Sequence, residues 1–235
     1  MLGRKLQREN KLIGIVVALK NEANAIKALM SNSKESTIGY RRFIQGRLSE
    51  KKCTLVLGGL GKIHCASATQ LLIDNFKCEY LVNIGTAGAI SSQVHVGDFV
   101  IGEKVVEFDC APKVYLHKPP SYVCHQRLVA SLKAFFAEDR TLKSVHFGQI
   151  LSGSEDVVTD SRKKELFQLH KALSTDWESA GFIATCNMNQ TPGVVFRVIS
   201  DLANESMEND FNKFGSEQLK ALSHVLEKVI AKVNC

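Results

Sequence analysis

The sequence predicts an α/β fold with a mainly parallel central sheet. Two observations support this prediction: short apolar runs rich in β-branched residues recur along the chain, and stretches of helical length and pattern lie between several of them. The chain has 235 residues, of which 45% are apolar and 23% are charged. A chain of this size and composition is expected to form one compact domain that buries roughly 70–75% of its unfolded surface. Disordered, collagen-like and coiled-coil architectures are disfavoured.

Each element is predicted from its own pattern. Continuous apolar runs predict buried strands at 12–19, 54–58, 80–85, 96–108, 145–153 and 193–200. Predicted helices cover 20–30, 62–76, 177–188 and 216–233. Three prolines break any regular period within 109–122, so this segment is expected to be a loop that serves as a lid or an interface element. We find no repeat or linker, so residues 1–235 are expected to form one domain, with 1–10 as a flexible extension.

Charge and cysteine content argue against several classes of protein. Lys and Arg total 30 against 24 Asp and Glu, but the basic residues are scattered, which indicates a solvated surface rather than a nucleic-acid site. The seven cysteines form no CxxC pair or Cys/His cluster, so neither a disulfide framework nor a metal site is expected. The apolar run at 12–19 is far shorter than the ~18 residues of a membrane span. We therefore expect a cytoplasmic protein that binds neither nucleic acid nor membrane.

Glycine and polar residues follow several predicted strands, where ligands of open α/β sheets bind. The strand ends are Ala18 followed by Glu22, Gly58-Gly59-Leu60-Gly61, Gly85-Thr86-Ala87-Gly88 and Ser200-Asp201, and Asp176-Trp177-Glu178 begins a predicted helix. Glycines permit positive φ and close backbone approach, and a following helix N-terminus offers free N–H groups. Neither glycine cluster matches a nucleoside-triphosphate or dinucleotide fingerprint. Taken alone, each cluster is better explained as a turn than as a ligand site.

Three carboxylates, Glu22, Glu178 and Asp201, are predicted on one side of the sheet. Singly, each could be a helix cap, a turn residue or an exposed side chain. Together they would surround a glycine-lined pocket and suit acid–base chemistry on a polar substrate. The histidines show no metal-ligand spacing, and Ser152-Gly153-Ser154 lacks the GxSxG elbow of a serine hydrolase.

Six segments in order resemble the 5′-methylthioadenosine/S-adenosylhomocysteine nucleosidases of the nucleoside phosphorylase-like superfamily. They are IGIVVALKNEANAI, LGGLGKIHCASATQLLIDNF, LVNIGTAGAISSQVHVGDFVIGEKVVEFD, GQILSGSEDVV, TDWESAGFIATC and VVFRVISDLANESMENDF, and the resemblance spans about residues 12–232. It implies a three-layer αβα sandwich with a mixed, mainly parallel, twisted sheet. It also implies a homodimer without metal or organic cofactor, for which 105–109 and the proline-rich segment are candidate interfaces.

The resemblance assigns roles to individual residues. Asp201 would protonate purine N7 as the ribosidic bond breaks, Glu22 would activate the attacking water, and Glu178 would hold the ribose hydroxyls. Thr86 would lie near the nucleophile, Trp177 beside the sugar, and Phe211 near the 5′ end of an adenine nucleoside. The remaining implied substrate-binding residues are Ala18, Gly59, Ala87, Gly88, Asp156, Val157, Asp176 and Ser200. Apolar residues upstream of Asp201 are expected to bury it and raise its pKa.

Alternative functions stay open at this point. In the phosphorylase pattern an arginine precedes the Gly-[Ser/Thr]-x-Gly turn where this chain has Asn83, so hydrolysis is favoured over phosphorolysis. The family places an adenine-stacking aromatic in the stretch where this chain has Glu155-Asp156, and Trp177 replaces a methionine. Asp156 either hydrogen-bonds an N–H of the base or faces solvent. A nucleosidase with another base preference or a futalosine-type or adenosylated lipid-precursor substrate, or a nucleoside-binding protein without catalysis, remains an alternative.

Overall fold

Within residues 12–110, 118–139 and 144–232, which the computed structural model describes, ten strands form one continuous sheet. The strands are β1 (Leu12–Val17), β2 (Ser31–Ile38), β3 (Arg41–Leu48), β4 (Lys51–Leu57), β5 (Tyr80–Ala89), β6 (Phe99–Glu107), β7 (Ser121–Val123), β8 (Val145–Ser152), β9 (Ser174–Asp176) and β10 (Gly193–Asp201). The helices are α1 (Lys20–Lys27), α2 (Lys62–Phe76), α3 (Gln126–Glu138), α4 (Asp160–His170), α5 (Ser179–Met188) and α6 (Met207–Lys232).

The sheet is mixed, with a parallel centre and both parallel and antiparallel pairs outside it. Strands β4, β1, β5 and β10 pair in parallel, in that order across the sheet. An antiparallel hairpin of β2 and β3 extends it beyond β4, and β6 lies antiparallel to β10. Strand β5 also pairs with β9, which pairs with β8, and β8 pairs with β6. The sheet therefore closes on itself around β5, β10, β6, β8 and β9.

Helices form two packed groups with the sheet between them. Helix α2 packs against α5, and α6 packs against α1 and α3. The core consists of the apolar faces of these helices and of central strands whose side chains are almost all buried, as in β1, β5 and β10. Strands buried on both faces read as continuous apolar runs, which is why they were identifiable in the sequence. Among the described helices, none combines the length and apolar character needed to cross a membrane.

All six predicted strands are confirmed, with ends that differ by up to four residues. The four predicted helices are also present, although the last begins at Met207 rather than 216. The prediction of one long loop at 109–122 is wrong at its end, because Ser121 opens the short strand β7 beside β6. Residues 111–117 of that loop, and the expected extension at 1–10, lie outside the described residues.

Candidate active site

A cavity of about 290 Å³ lies where the carboxyl ends of β1, β5 and β10 meet. These strands run parallel, so the residues that follow them come to one edge of the sheet. The loop after β8 and the end of β9 complete the wall, because β9 pairs with the last two residues of β5. The cavity has the size expected for a small organic ligand.

Glu22 lies in the first turn of α1, and its carboxylate turns back towards the end of β1. Its Oε2 accepts hydrogen bonds from the backbone N–H groups of Ala18 and Leu19, both at 2.9 Å. Its Oε1 accepts one from the backbone N–H of Thr86 at 3.3 Å. Burial raises the pKa of Glu22 despite these three donors. A fixed carboxylate with a raised pKa is suited to take a proton from a group in the cavity.

Two glycines of the Gly85-Thr86-Ala87-Gly88 segment allow carboxylates to approach β5 closely. A Cβ atom on Gly85 would lie 2.8 Å from Oε1 of Glu22, and one on Gly88 would lie 2.8 Å from Oδ1 of Asp201. Both positions are too close for a side-chain carbon. The segment belongs to β5 itself, so the alternative interpretation of it as a turn is wrong.

Asp201 ends β10 next to a register shift that follows Ile199. Such irregularities re-aim side chains, and here the carboxylate lines the cavity. Its Oδ1 accepts a hydrogen bond from the backbone N–H of Ala203 at 2.9 Å, and Oδ2 accepts one from Ser200 Oγ at 2.7 Å. Burial raises the pKa of Asp201 above its ordinary value, as expected from the sequence. The group is therefore suited to hold a proton and donate it to a leaving group.

Glu178 lies between β9 and α5. It occupies the N-cap position of α5, but its side chain makes no capping hydrogen bond there. Its Oε1 accepts a hydrogen bond from the backbone N–H of Gly61 at 2.8 Å, which joins the end of β9 to the beginning of α2. Burial, reinforced by the negative charge of Asp176, raises the pKa of Glu178 to about 7. Asp176 itself is the last residue of β9 rather than the first of a helix, and it accepts from the backbone N–H groups of Glu178 and Ser179.

Arg197 is a fully buried cation beneath these carboxylates. Its Nε donates to Asp176 Oδ2 at 2.8 Å, and its Nη1 donates to the carbonyl oxygens of Asn83 and Phe196, both at 3.2 Å. Its Nη2 donates to Asn83 Oδ1 and, at 2.9 Å, to Ser179 Oγ. A guanidinium has five N–H donors, and these contacts account for all five. Arg197 thus neutralises one carboxylate and holds Asn83 and Ser179 in place.

Trp177 and the loop after β8 form the outer wall of the cavity. The indole Nε1 of Trp177 donates to the carbonyl oxygen of Glu155 at 3.2 Å, which joins the two segments. Glu155 and Asp156 line the cavity, and Val157 is buried beneath them. The acidic stretch singled out in the sequence is therefore part of the cavity wall.

Most residues expected at the site line this one cavity: Glu22, Glu178 and Asp201, together with Ala18, Thr86, Ala87, Gly88, Asp156, Val157, Asp176, Trp177 and Ser200. Gly59 does not line it. It lies in the turn before α2 with φ +88°, and that turn directs it towards Arg41 and His64. The side chain of Phe211 lies outside the described part of the chain.

Sequence reasoning missed Arg197 as a site residue and gave Asn83 no contact of its own. The available signal was an arginine inside the otherwise apolar run 193–200, since a buried charge in a strand requires partners. It also missed Leu60, Ala203 and Met207, which line the cavity and carry no chemical signature. Within the described residues, no group of three His, Cys, Asp or Glu side chains is arranged to hold a metal ion.

Comparison with protein families assigns this architecture. The sequence profile of the phosphorylase superfamily matches residues 12–231. The chain belongs to the phosphorylase superfamily. A relative in that superfamily, the 5′-methylthioadenosine/S-adenosylhomocysteine nucleosidase of Staphylococcus haemolyticus, is 28% identical over 227 residues, which cover 93% of this chain and 99% of the relative. The nucleosidase of the same name from Staphylococcus aureus is 25% identical over 230 residues, covering 94% and 100%.

Solved structures of other proteins share the fold. A 5′-methylthioadenosine/S-adenosylhomocysteine nucleosidase from Streptococcus pneumoniae, in complex with a transition-state inhibitor, matches with a TM-score of 0.88 at 23% identity and covers 95% of this chain and 100% of that chain. Futalosine hydrolase of Helicobacter pylori matches with a TM-score of 0.88 at 23% identity, covering 95% and 98%. The predicted nucleoside phosphorylase-like α/β fold is confirmed.

In this member of the phosphorylase superfamily, the cavity wall is strongly acidic. Four buried carboxylates, Glu22, Asp176, Glu178 and Asp201, face or underlie it, and Arg197 is the one cation among its described lining residues. Because every N–H of Arg197 is already bonded within the protein, it has no donor left for an anionic ligand. Such a cavity favours a neutral ligand on which positive charge develops.

Proposed function

We propose that this protein hydrolyses the N-ribosidic bond of a 5′-modified adenine nucleoside, such as methylthioadenosine or adenosylhomocysteine, to free adenine and the corresponding thioribose. The observation that carries the proposal is the meeting of three buried carboxylates, Glu22, Glu178 and Asp201, at one small cavity. Of these, Asp201 is suited to donate a proton and Glu22 to accept one. The names of the relatives from Staphylococcus haemolyticus and Staphylococcus aureus support the substrate class.

Departure of the base depends on Asp201. The bond between C1′ and the base nitrogen breaks, its electron pair moves into the purine, and N7 receives the proton that Asp201 holds. Burial raises the pKa of Asp201, which favours its protonated form, and Ser200 and Ala203 fix the carboxyl group. Protonation makes the base a neutral leaving group, and general-acid assistance of this kind is worth about 10²–10⁴-fold in rate.

Attack by water depends on Glu22. Water adds to C1′ of the oxocarbenium-like sugar, and Glu22 accepts the proton that the water loses. Three backbone N–H groups hold the carboxylate in one orientation, so it needs little rearrangement to accept the proton. Exchange with solvent then returns the proton to Asp201 and removes the one on Glu22.

Glu178 binds and stabilises the sugar. Its Oε1 is fixed by Gly61, which leaves the rest of the carboxylate to accept hydrogen bonds from ribose hydroxyls. In its ionised form Glu178 also stabilises the positive charge that develops on the sugar in the transition state. These steps use side chains of the chain alone, and no metal or organic cofactor enters them.

Hydrolysis is favoured over phosphorolysis by the pairing of Arg197. Phosphate as a nucleophile needs free cationic donors beside C1′. Asn83 occupies the position at which the phosphorylase pattern has an arginine, and its side chain accepts from Arg197 and donates to the carbonyl oxygen of Val16 at 3.0 Å. Arg197 therefore has no N–H left for phosphate, and Asn83 carries no charge to attract it.

A homodimer is part of this proposal. Of the candidate interface 105–109, Val105, Val106 and Phe108 are buried within the protomer and add little area. Leu60 and Ile63 are better placed, since they are 53% and 84% exposed and Leu60 also lines the cavity. A second copy that covers them would also cover the part of the cavity that Leu60 lines. We also assign the protein to the cytoplasm, because its six described cysteines are free thiols.

Product analysis tests the proposal. Purified protein is incubated with methylthioadenosine, adenosylhomocysteine, adenosine and inosine, each with and without phosphate, and the products are separated by chromatography. We expect free base and free sugar without phosphate. If base is released only with phosphate, together with a sugar 1-phosphate, phosphorolysis is established and the hydrolytic mechanism is overturned.

Two variants connect the activity to the cavity. Asp201→Asn keeps the shape but holds no transferable proton, and we expect kcat to fall about 10²–10⁴-fold. Asp74→Asn removes the same charge from an exposed position on α2 and should leave kcat unchanged. Equal activity of the two variants would show that Asp201 is not the acid.

A further inference from the structure

The loop after β8 is joined to the Asp201 end of the cavity at two points. Val157 and Ala203 belong to the same buried apolar cluster, and Ala203 donates its backbone N–H to Asp201. On the following helix α4, Lys163 Nζ donates to the carbonyl oxygen of Leu202 at 2.6 Å. The loop is therefore held beside the acid that, in the proposed function, protonates the purine. A base in the cavity has this loop as its neighbour.

Glu155, the first of two adjacent carboxylates in the loop, is already committed to the protein. Arg162 Nε donates to Glu155 Oε1 at 2.7 Å, and Arg162 Nη2 donates to Glu155 Oε2 at 2.8 Å. This two-point contact occupies both carboxylate oxygens with a fixed partner. The carbonyl oxygen of Glu155 is likewise occupied by the indole N–H of Trp177.

Asp156, the second carboxylate, is uncommitted. It lines the cavity and is exposed, and no hydrogen bond or ion pair within the described residues involves its side chain. Since its neighbour Glu155 is neutralised by Arg162, Asp156 is the carboxylate of this loop that remains available to a ligand. An ionised carboxylate only accepts hydrogen bonds, so it selects for ligand groups that donate them.

Purine bases differ in the donors on their six-membered ring. Adenine has an amino group at C6 but an acceptor at N1, and an acceptor facing a carboxylate is repelled. A 6-oxopurine instead carries a hydrogen on N1, and a 2-amino-6-oxopurine adds a second donor beside it, which matches the two oxygens of one carboxylate.

We infer that Asp156 selects the base by accepting N–H hydrogen bonds from the six-membered ring, so that the substrates include 5′-modified nucleosides of 6-oxopurines. The inference rests on the proposed function, because it places the purine between Asp201 and this loop. It extends that function from adenine to bases that carry a hydrogen on N1.

Relative specificity tests the inference. The ratio of kcat/KM for 5′-methylthioinosine to that for 5′-methylthioadenosine is measured for the native protein, Asp156→Asn and Asp74→Asn. We expect the native protein to cleave both nucleosides. In Asp156→Asn the amide can donate to adenine N1, and it has lost the charge that strengthens the hydrogen bond from the N1–H of a 6-oxopurine. The ratio should therefore fall about 10- to 100-fold. Asp74→Asn makes the same change at an exposed position on α2 and should leave the ratio unchanged.

The outcomes separate this inference from the proposed function. Cleavage of methylthioadenosine with a ratio that is the same in the native protein and in Asp156→Asn would overturn the role of Asp156 and leave hydrolysis intact. An equal fall in Asp74→Asn would attribute the change to general charge and overturn the role as well. If neither nucleoside is cleaved, the proposed function is overturned, and the inference with it. Because Asp156 is exposed, its substitution is not expected to disturb folding.

Discussion

Replacing Glu178 by Gln is expected to stabilise the protein at alkaline pH while it removes turnover. In the folded protein the pKa of Glu178 is about 7, against an ordinary value of 4.5, because the carboxylate is buried beside Asp176. The folded state therefore keeps a proton that the unfolded chain has already lost. By linkage, the free energy of unfolding falls as pH rises from about 4.5 to about 7. Gln is neutral throughout, so it does not contribute this fall.

The expected size follows from the two pKa values. A group that titrates near 4.5 in the unfolded chain and near 7 in the folded one changes the free energy of unfolding by about 2–3 kcal/mol between about pH 5 and about pH 8. Gln retains an oxygen that can accept from the backbone N–H of Gly61, so this contact survives. The difference in unfolding free energy between Glu178→Gln and the native protein should therefore rise by that amount over this range.

Urea denaturation followed by circular dichroism at the two pH values measures this difference, and other titrating groups cancel because both proteins contain them. Glu217→Gln, at an exposed position on α6, serves as the control and should track the native protein. Parallel stability of Glu178→Gln and the native protein at both pH values would refute the reasoning, since it would mean that Glu178 is ionised in the folded state as readily as in water.

Three further predictions concern other parts of the site. Burial raises the pKa of both Glu22 and Asp201. The value of kcat/KM should therefore fall at low pH, where the base Glu22 is protonated, and at high pH, where the acid Asp201 has lost its proton. A flat profile from about pH 4 to about pH 9 would contradict these roles. In Arg197→Lys, the lysine side chain has too few N–H donors for the buried network. The free energy of unfolding in urea should fall by about 3–5 kcal/mol. A change below about 1 kcal/mol would contradict the pairing. Asp109 accepts hydrogen bonds from Lys62 at 2.5 Å and from the backbone N–H of Ser154 at 2.8 Å. Asp109→Ala should therefore loosen the loop after β8 and raise KM about tenfold in steady-state assays. A loss confined to kcat would contradict this positioning role.

The central strands could be predicted because burial on both faces requires apolar residues at every position. The hairpin of β2 and β3 could not. Strand β2 has the sequence SNSKESTI, and its side chains are exposed except for a half-buried Ile38. It is a strand because it hydrogen-bonds to β3, a long-range contact that leaves no apolar periodicity in its own sequence.

Helices α3 and α4 were not predicted from the sequence. Helix α3 buries Leu128, Val129 and Leu132 on one face, so its apolar spacing was a signal that the prediction overlooked.

Helix α4 has a weak local signal. Helix α4 buries only Leu166 among its eleven residues, so its sequence lacks an apolar stripe. Its beginning is marked by Thr159, whose side chain accepts from the backbone N–H of Arg162 at 3.2 Å. The first turns of α6 are mostly polar, with Glu208 and Asp210 at the N-terminal end, where carboxylates are favoured by the helix dipole. A prediction based on apolar spacing therefore begins that helix too late.

The site residues also include some that the sequence predicts and some that it does not. Glu22 and Asp201 were predictable because the strand-end rule places them by sequence position alone. The pairing of Arg197 depends on strand register, which sets Val195 opposite Asn83 and Arg197 opposite Gly85 across β5 and β10. A shift of one residue would turn the guanidinium to the other face of the sheet. Spacing in one sequence does not determine that register.

The choice between water and phosphate follows from this register. A buried guanidinium in the wall of the cavity would bind an anion if any of its N–H groups were free. In the folded protein all five donate to Asp176, Asn83, Ser179 and Phe196. The same pairing holds Asp176 beside Glu178, and the negative charge of Asp176 contributes to the raised pKa of Glu178. The network that leaves phosphate without a donor therefore also keeps the wall beside the sugar acidic, which suits a neutral nucleophile attacking a positively charged centre.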